Sequence, residues 1–272
     1  MKQRITMFFI AMLSILFFMT SCKSEPVSVT SESEIDLSDF ENPDIFILPK
    51  DLNDMIGNEN LVILDGNKMN LYSKEHIKGA VNIGFHSLSN TEGGPGDLGW
   101  GTSLPIKNLK EKLESLGVTN DKTVVLYSDV FKGPGPDGRN VWQLQMAGLD
   151  NVKLLYGGLG YWKNLGYEVT DETFEPTKST GLTLSEYDES YSASKDFVYN
   201  NLDKMKIIDV RSKKEFDGST AAGEARGGHI KGATWLEWKE LLNEDATPKS
   251  PSEIKEIMAS MGVKPQDDFV VY

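Results

Sequence analysis

His76-Ile77-Lys78-Gly79-Ala80 recurs letter for letter as His229-Ile230-Lys231-Gly232-Ala233, so this chain of 272 residues carries one unit written twice. A second pair of matches supports the repeat, because Leu116-Gly117-Val118 returns as Met261-Gly262-Val263 at a slightly shorter offset. The Gly-rich stretch 90–100 of the first copy, which the second lacks, accounts for that difference. Outward from these motifs, each copy opens with a short apolar run, Leu61 to Leu64 and Ile207 to Val210. Runs of this kind are buried on both faces of a parallel sheet. A helical stripe follows, Ile106, Leu109, Leu113 and Leu116 in the first copy and Ile254, Ile257, Met258 and Met261 in the second, stopped by Gly117 and Gly262. Ser250 as N-cap, Pro251 in the first turn and Glu253 closing a capping box mark the start of the second of these helices. Further strands at Val124 to Tyr127, Val152 to Tyr156 and Asp268 to Tyr272, with a helix around Asn140 to Ala147, complete an alternation that predicts right-handed crossovers and a parallel α/β sheet in each copy.

Composition sets the outer limits. Apolar residues at 39% with 10% aromatics suffice for two packed domains. With 41 acidic against 28 basic side chains the formal charge is −13, which repels phosphate backbones and excludes general nucleic-acid binding. Residues 1–22 read as an export signal: Lys2 and Arg4 precede an apolar run from Ile5 to Met19 that is short for a membrane span. The run closes in Met19-Thr20-Ser21-Cys22, which resembles a bacterial lipoprotein cleavage box, with Met19 where Leu is usual. That resemblance implies lipidation of Cys22 and a protein tethered to the bacterial cell envelope, on its periplasmic or outer face. Cys22 is the single cysteine, so no disulfide within the chain is expected. The expected organisation is a signal at 1–22, a polar tether at 23–44, a first domain at 45–172, a linker at 173–190 and a second domain at 191–272.

Asp209-Val210-Arg211, the Gly-rich insert 218–228 leading into His229, Val270-Val271-Tyr272, and in the first copy Gly157-Gly158 followed by Trp162, together resemble the rhodanese family, in particular thiosulfate and 3-mercaptopyruvate sulfurtransferases. The resemblance implies an α/β fold of two rhodanese-like domains, each a parallel sheet flanked by helices, the second incomplete. It implies transfer of sulfane sulfur from a small anionic donor to a thiophilic acceptor without a cofactor. In that family a strand ending in Val-Val-Tyr enters a Cys-x-x-Gly-x-Arg loop, whose inward N–H groups and following helix N-terminus stabilise a thiolate. The catalytic residue is therefore expected immediately after Tyr272, with none within these residues, and Asp209, Arg211 and His229 are the candidates for support or anion contact. The plainer reading of Asp209 and Arg211 is that they buttress a strand end.

In the first copy Ser128 takes the cysteine's place and Asp129 follows. A hydroxyl forms no persulfide and ionises far above a thiol. The loop runs on to Arg139, expected at the start of the next helix, and contains Pro134 and Pro136, each lacking a backbone donor. Asp65-Gly66-Asn67 has no arginine. The first copy is thus expected to be catalytically silent, and neither nearby histidine has a partner role that would make Ser128 and Asp129 a hydrolytic pair. Glu215 stands before Phe216 where these subtypes place an arginine, and a carboxylate there would repel an anionic donor. No metal site is expected from His76, His86 and His229, and Trp235 and Trp238 are expected in the core. The alternative to an enzyme is a noncatalytic binding or scaffold lipoprotein. Three readings of the end at Tyr272 stay open: a UGA codon recoded as selenocysteine, a nonsense or frameshift product, and an incomplete sequence.

Overall fold

The computed structural model describes residues 35–97, 99–221, 223 and 225–272. Cys22 and the expected signal lie outside the described residues. The first repeat contains strands β1 (Phe46–Ile47), β2 (Leu61–Asp65), β3 (Ala80–Asn82), β4 (Thr123–Tyr127) and β5 (Val152–Leu155). Its helices are α1 (Pro49–Met55), α2 (Met69–Tyr72), α3 (Ile106–Ser115), α4 (Pro136–Met146) and α5 (Gly158–Asn164). The second repeat contains α6 (Lys195–Asn200), β6 (Lys206–Asp209), α7 (Lys213–Phe216), β7 (Thr234–Trp235), α8 (Pro251–Ser260) and β8 (Phe269–Val271).

Every strand pair is parallel, in the order β1-β5-β4-β2-β3 for the first sheet and β7-β6-β8 for the second. The apolar runs explain this arrangement: four of the five residues of β2 and of β4 are buried, as strands covered on both faces must be. One face packs Leu64, Leu126 and Leu144 with Leu109 and Leu113 of α3; the other packs Ile63, Val125 and Leu155 with Trp162 of α5. In the second repeat the buried cluster is Ile208, Leu236 and Val263, with Ile257 and Met258 of α8 against it. The expected capping box of α8 is formed, with Glu253 N–H on Ser250 Oγ at 3.3 Å and the Glu253 carboxylate on the Ser250 N–H at 2.9 Å.

Two expectations are corrected. The fourth helix begins at Pro136 rather than near Asn140, so Arg139 lies inside its first turn and Pro136 occupies N1, where a missing N–H costs nothing. Trp235 and Trp238 are not core residues: Leu236, between them in sequence, points inward, and both tryptophans are half-buried. Residues 173–187 have no regular structure yet lie on the first repeat, with Leu182 in its core and Tyr187 Oη donating to Leu104 O at 2.7 Å. Among the described residues no helix is long and apolar enough to cross a membrane.

Candidate functional site

In parallel α/β sheets, sites form where loops leave the carboxyl ends of adjacent strands. Asp209 ends β6, and the neighbouring β8 delivers Tyr272, whose N–H donates to Ile208 O at 3.1 Å while its carbonyl accepts the Val210 N–H at 3.0 Å. Asp209 is fully buried, and the chain turns back over it. Arg211 supplies a backbone N–H to Asp209 Oδ1 at 3.0 Å, Nε to Oδ1 at 3.0 Å and Nη2 to Oδ2 at 2.6 Å. Nη2 also reaches Gly228 O at 2.9 Å, which ties the end of the Gly-rich insert to the same fork. The guanidinium lies 5.2 Å from the Tyr272 ring centroid, within cation–π range. Burial pushes the Asp209 carboxyl up, but the Arg211 side chain and N–H with the Tyr272 hydroxyl more than offset it and hold it below its ordinary value. Arg211 is raised in turn, chiefly by its bond to Asp209.

The repeated motif acts as a strut. Tyr272 Oη accepts the Ile230 N–H at 2.8 Å, and Tyr127 Oη accepts the Ile77 N–H at 3.0 Å. Histidine stacks on the ring before it in both copies, His76 on Tyr72 with centroids 3.8 Å apart and His229 on Phe216 at 3.7 Å. His229 Nδ1 is bound to Phe216 O at 2.9 Å, so this histidine braces the end of α7. Glu215 is likewise occupied: as N3 of α7 its carboxylate takes the Ser212 N–H at 3.1 Å and hydroxyl at 2.6 Å. The Ser-x-x-Glu spacing of 212–215 is the sequence signal for this capping box, and it places the Glu215 charge on the helix start.

The first repeat has the same frame without the cation. Asp65 pairs in register with Tyr127, and its Oδ1 takes the Asn67 N–H at 2.6 Å. Burial raises the Asp65 carboxyl, and the Tyr127 hydroxyl, the Asn67 amide and the charge of His76 offset this only in part. Asn67 Oδ1 instead accepts the Asp129 N–H at 2.8 Å, pinning the loop after β4. Ser128 is buried; Asp137, raised by burial, is the acid beside it, and Asp129 pairs with Lys132 at 2.7 Å. Arg139 turns toward the Gly-rich excursion, giving Nη2 to Gly101 O at 2.7 Å. Asp129 and Arg139 are thus held by structural partners, whereas the buried Ser128 hydroxyl makes no hydrogen bond among the described residues. Among the described residues no group of three or more His, Cys, Asp or Glu side chains is placed to hold a metal ion.

A family profile described as "Rhodanese-like domain" matches residues 48–165 and 194–272. A Haloferax volcanii protein provisionally named a thiosulfate sulfurtransferase is 32% identical over 208 residues, covering 74% of this chain and 70% of its own length. The "Sulfur carrier protein TtuD" of Thermus thermophilus is 34% identical over 173 residues, covering 59% of each chain. Among solved structures, the 3-mercaptopyruvate sulfotransferase SseA of Escherichia coli is similar in fold, with a TM-score of 0.70 at 23% identity, covering 84% of this chain and 87% of that one. An anaerobic ergothioneine biosynthesis enzyme from Chlorobium limicola gives 0.69 at 22% identity, covering 85% of this chain and 61% of its own.

Proposed function

Because the chain belongs to the rhodanese-like family, we propose that it serves in the transfer of sulfane sulfur from a small anionic donor to a thiophilic acceptor, at the second repeat. The observation that carries this reading is the Asp209–Arg211 fork beside Tyr272, a cation fixed at the carboxyl ends of adjacent parallel strands. The first repeat has Asn67 where that cation would stand and is silent in this reading. The reaction takes a thiolate or selenolate on the loop following β8. That group attacks the outer sulfur of a thiosulfate-type donor, sulfite leaves with the electron pair of the broken S–S bond, and the persulfide passes its sulfur to cyanide or another thiophile. The 272 residues hold no thiol or selenol besides Cys22, which in this reading carries a lipid. Full-length protein from its native cells should form thiocyanate from cyanide and thiosulfate, whereas the 272-residue polypeptide should not. Turnover by the latter would overturn the proposal.

The second reading, a noncatalytic binding lipoprotein, is favoured by one observation: the repeat with the larger buried clusters has Ser128 in the loop after β4 and Asn67 in place of an arginine. Absence of cyanolysis by the native protein would select it. In both readings the protein is exported and held at the cell envelope through Cys22, which intact-mass analysis of membrane extracts tests by the added acyl mass.

A further inference from the structure

The two repeats meet at Trp238. Gly135, the N-cap of α4, has φ +73°, and a Cβ placed on it would lie 3.3 Å from both Cη2 and Cζ2 of the Trp238 ring. The indole therefore rests on a bare Cα, at a position that also needs glycine for its left-handed backbone. Pro134 and Pro136 on either side fix their own φ and stiffen this seat. From the same short segment of the second repeat, the Trp238 N–H donates to Val210 O at 3.0 Å and Trp235 Nε1 donates to Arg211 O at 2.9 Å. Both tryptophans thus grip the backbone that presents the Arg211 fork. Farther along, Thr247 lies beside the hydroxyl of Tyr156, which follows β5 of the first repeat, and partly offsets the rise that burial imposes on it. Its neighbour Ala246 is buried with φ +71°. The segment 235–247 accordingly holds the strand end of Arg211 at one end and touches the first repeat just beyond β4 and β5.

We propose that the first repeat is a docking platform that positions Arg211 of the second repeat through Trp238 seated on Gly135. Trp238 and Gly135 are positioning residues, and the altered loop from Ser128 to Arg139 is the seat. The consequence for sulfur transfer rests on the reading of Arg211 given above; the positioning itself rests on the contacts.

The test uses the 272-residue protein, labelled with ¹³C and ¹⁵N, and reads the Asp209 carboxyl titration and the exchange of the Arg211 Nε proton. In Trp238→Ala and Gly135→Ala the Asp209 titration should move up toward the ordinary carboxyl value, and Arg211 Nε exchange should accelerate about tenfold, the change expected if its hydrogen bond to Asp209 Oδ1 is lost. Trp238→Phe, which keeps a shorter ring above Gly135, should restore both readouts in part, and Met69→Ala, an exposed residue of α2 in the first repeat, should change neither. If Trp238→Ala unfolds the second repeat, Gly135→Ala decides, because it alters the contact from the well-packed first repeat. Wild-type Asp209 and Arg211 behaviour in folded Gly135→Ala overturns the proposal. That outcome leaves the cyanolysis result untouched, and absent cyanolysis would leave these resonances untouched, so the two readings fail separately.

Discussion

Arg211 closes a two-point fork on the buried carboxylate of Asp209, Nε to Oδ1 at 3.0 Å and Nη2 to Oδ2 at 2.6 Å. Planar bidentate pairing is what a guanidinium does and an ammonium does not. Removing one partner leaves a buried charge with its desolvation uncompensated, which costs more than the pair itself contributes. Arg211→Asn should therefore destabilise the second repeat by about 2–4 kcal/mol. Arg211→Lys should fall between Asn and wild type. Urea titration followed by the fluorescence of Trp235 and Trp238 measures both; a neutral effect of Arg211→Asn would mean the fork is not closed in solution.

The matching carboxylates should titrate with opposite consequences. Asp209 is held below its ordinary value of about 3.9. Its contribution to stability is present in full above that value and is lost as pH falls through the depressed one. Asp65 is raised by burial, so its contribution is present below the ordinary value and is lost as pH rises through the raised one; buried Asp137 has the same sign. At pH 7, Asp65→Asn should then raise the melting temperature of the first repeat, while Asp209→Asn should lower that of the second. Calorimetry of the two variants checks the pair of signs, and equal signs would contradict the assignment of the cation to one repeat only.

Ala246 is the one non-glycine with positive φ among the described residues, at +71°. A left-handed backbone crowds the Cβ of an L-residue against its own carbonyl. The surrounding turn enforces it: Asn243 N–H donates to Thr247 O at 2.8 Å and Thr247 Oγ1 donates to Asp245 Oδ1 at 2.6 Å. Ala246→Gly should relieve the crowding and stabilise the second repeat by roughly 0.5–1 kcal/mol after the entropy cost of glycine. Ala246→Val should destabilise it. Chemical denaturation of the two variants tests the order, and a loss of stability in Ala246→Gly would show that its methyl packing outweighs the strain.

Much of the fold was legible because burial on both faces writes itself as uninterrupted apolar runs. Leu61 to Leu64 and Val124 to Tyr127 needed only a residue's extension at one end. The short strands β1, β3 and β7 were not visible as strands, since two or three residues show no period. Helix α4 was placed too late because Asp137 and Asn140, both buried, break the apolar stripe that marks a helix face. At the site, Asp209 and Arg211 stood out by their pattern, but Trp238 did not. Its role depends on Gly135, more than a hundred residues earlier in the chain, and no local spacing records such a contact.

The two repeats of this polypeptide should melt separately. The first has two extensive buried clusters, one on each face of its sheet, whereas the second buries Ile208, Leu236 and Val263 and leaves Phe269 and Val271 of β8 about half exposed, at 52% each. Area removed from water is the main stabilising term, so the difference in covered apolar surface should set the order of unfolding. Trp162 reports on the upper transition, that of the first repeat: it is fully buried, lies 4.7 Å from the Tyr167 ring and donates Nε1 to Glu168 O at 2.9 Å. Trp162→Ala should cost about 3–5 kcal/mol in the upper transition alone. Calorimetry with limited proteolysis checks this, since cleavage should begin beyond residue 190 while the first repeat stays intact. A single cooperative transition, with protease resistance through residue 260, would show that the seam at Trp238 and Thr247 is strong enough to make the two repeats one folding unit.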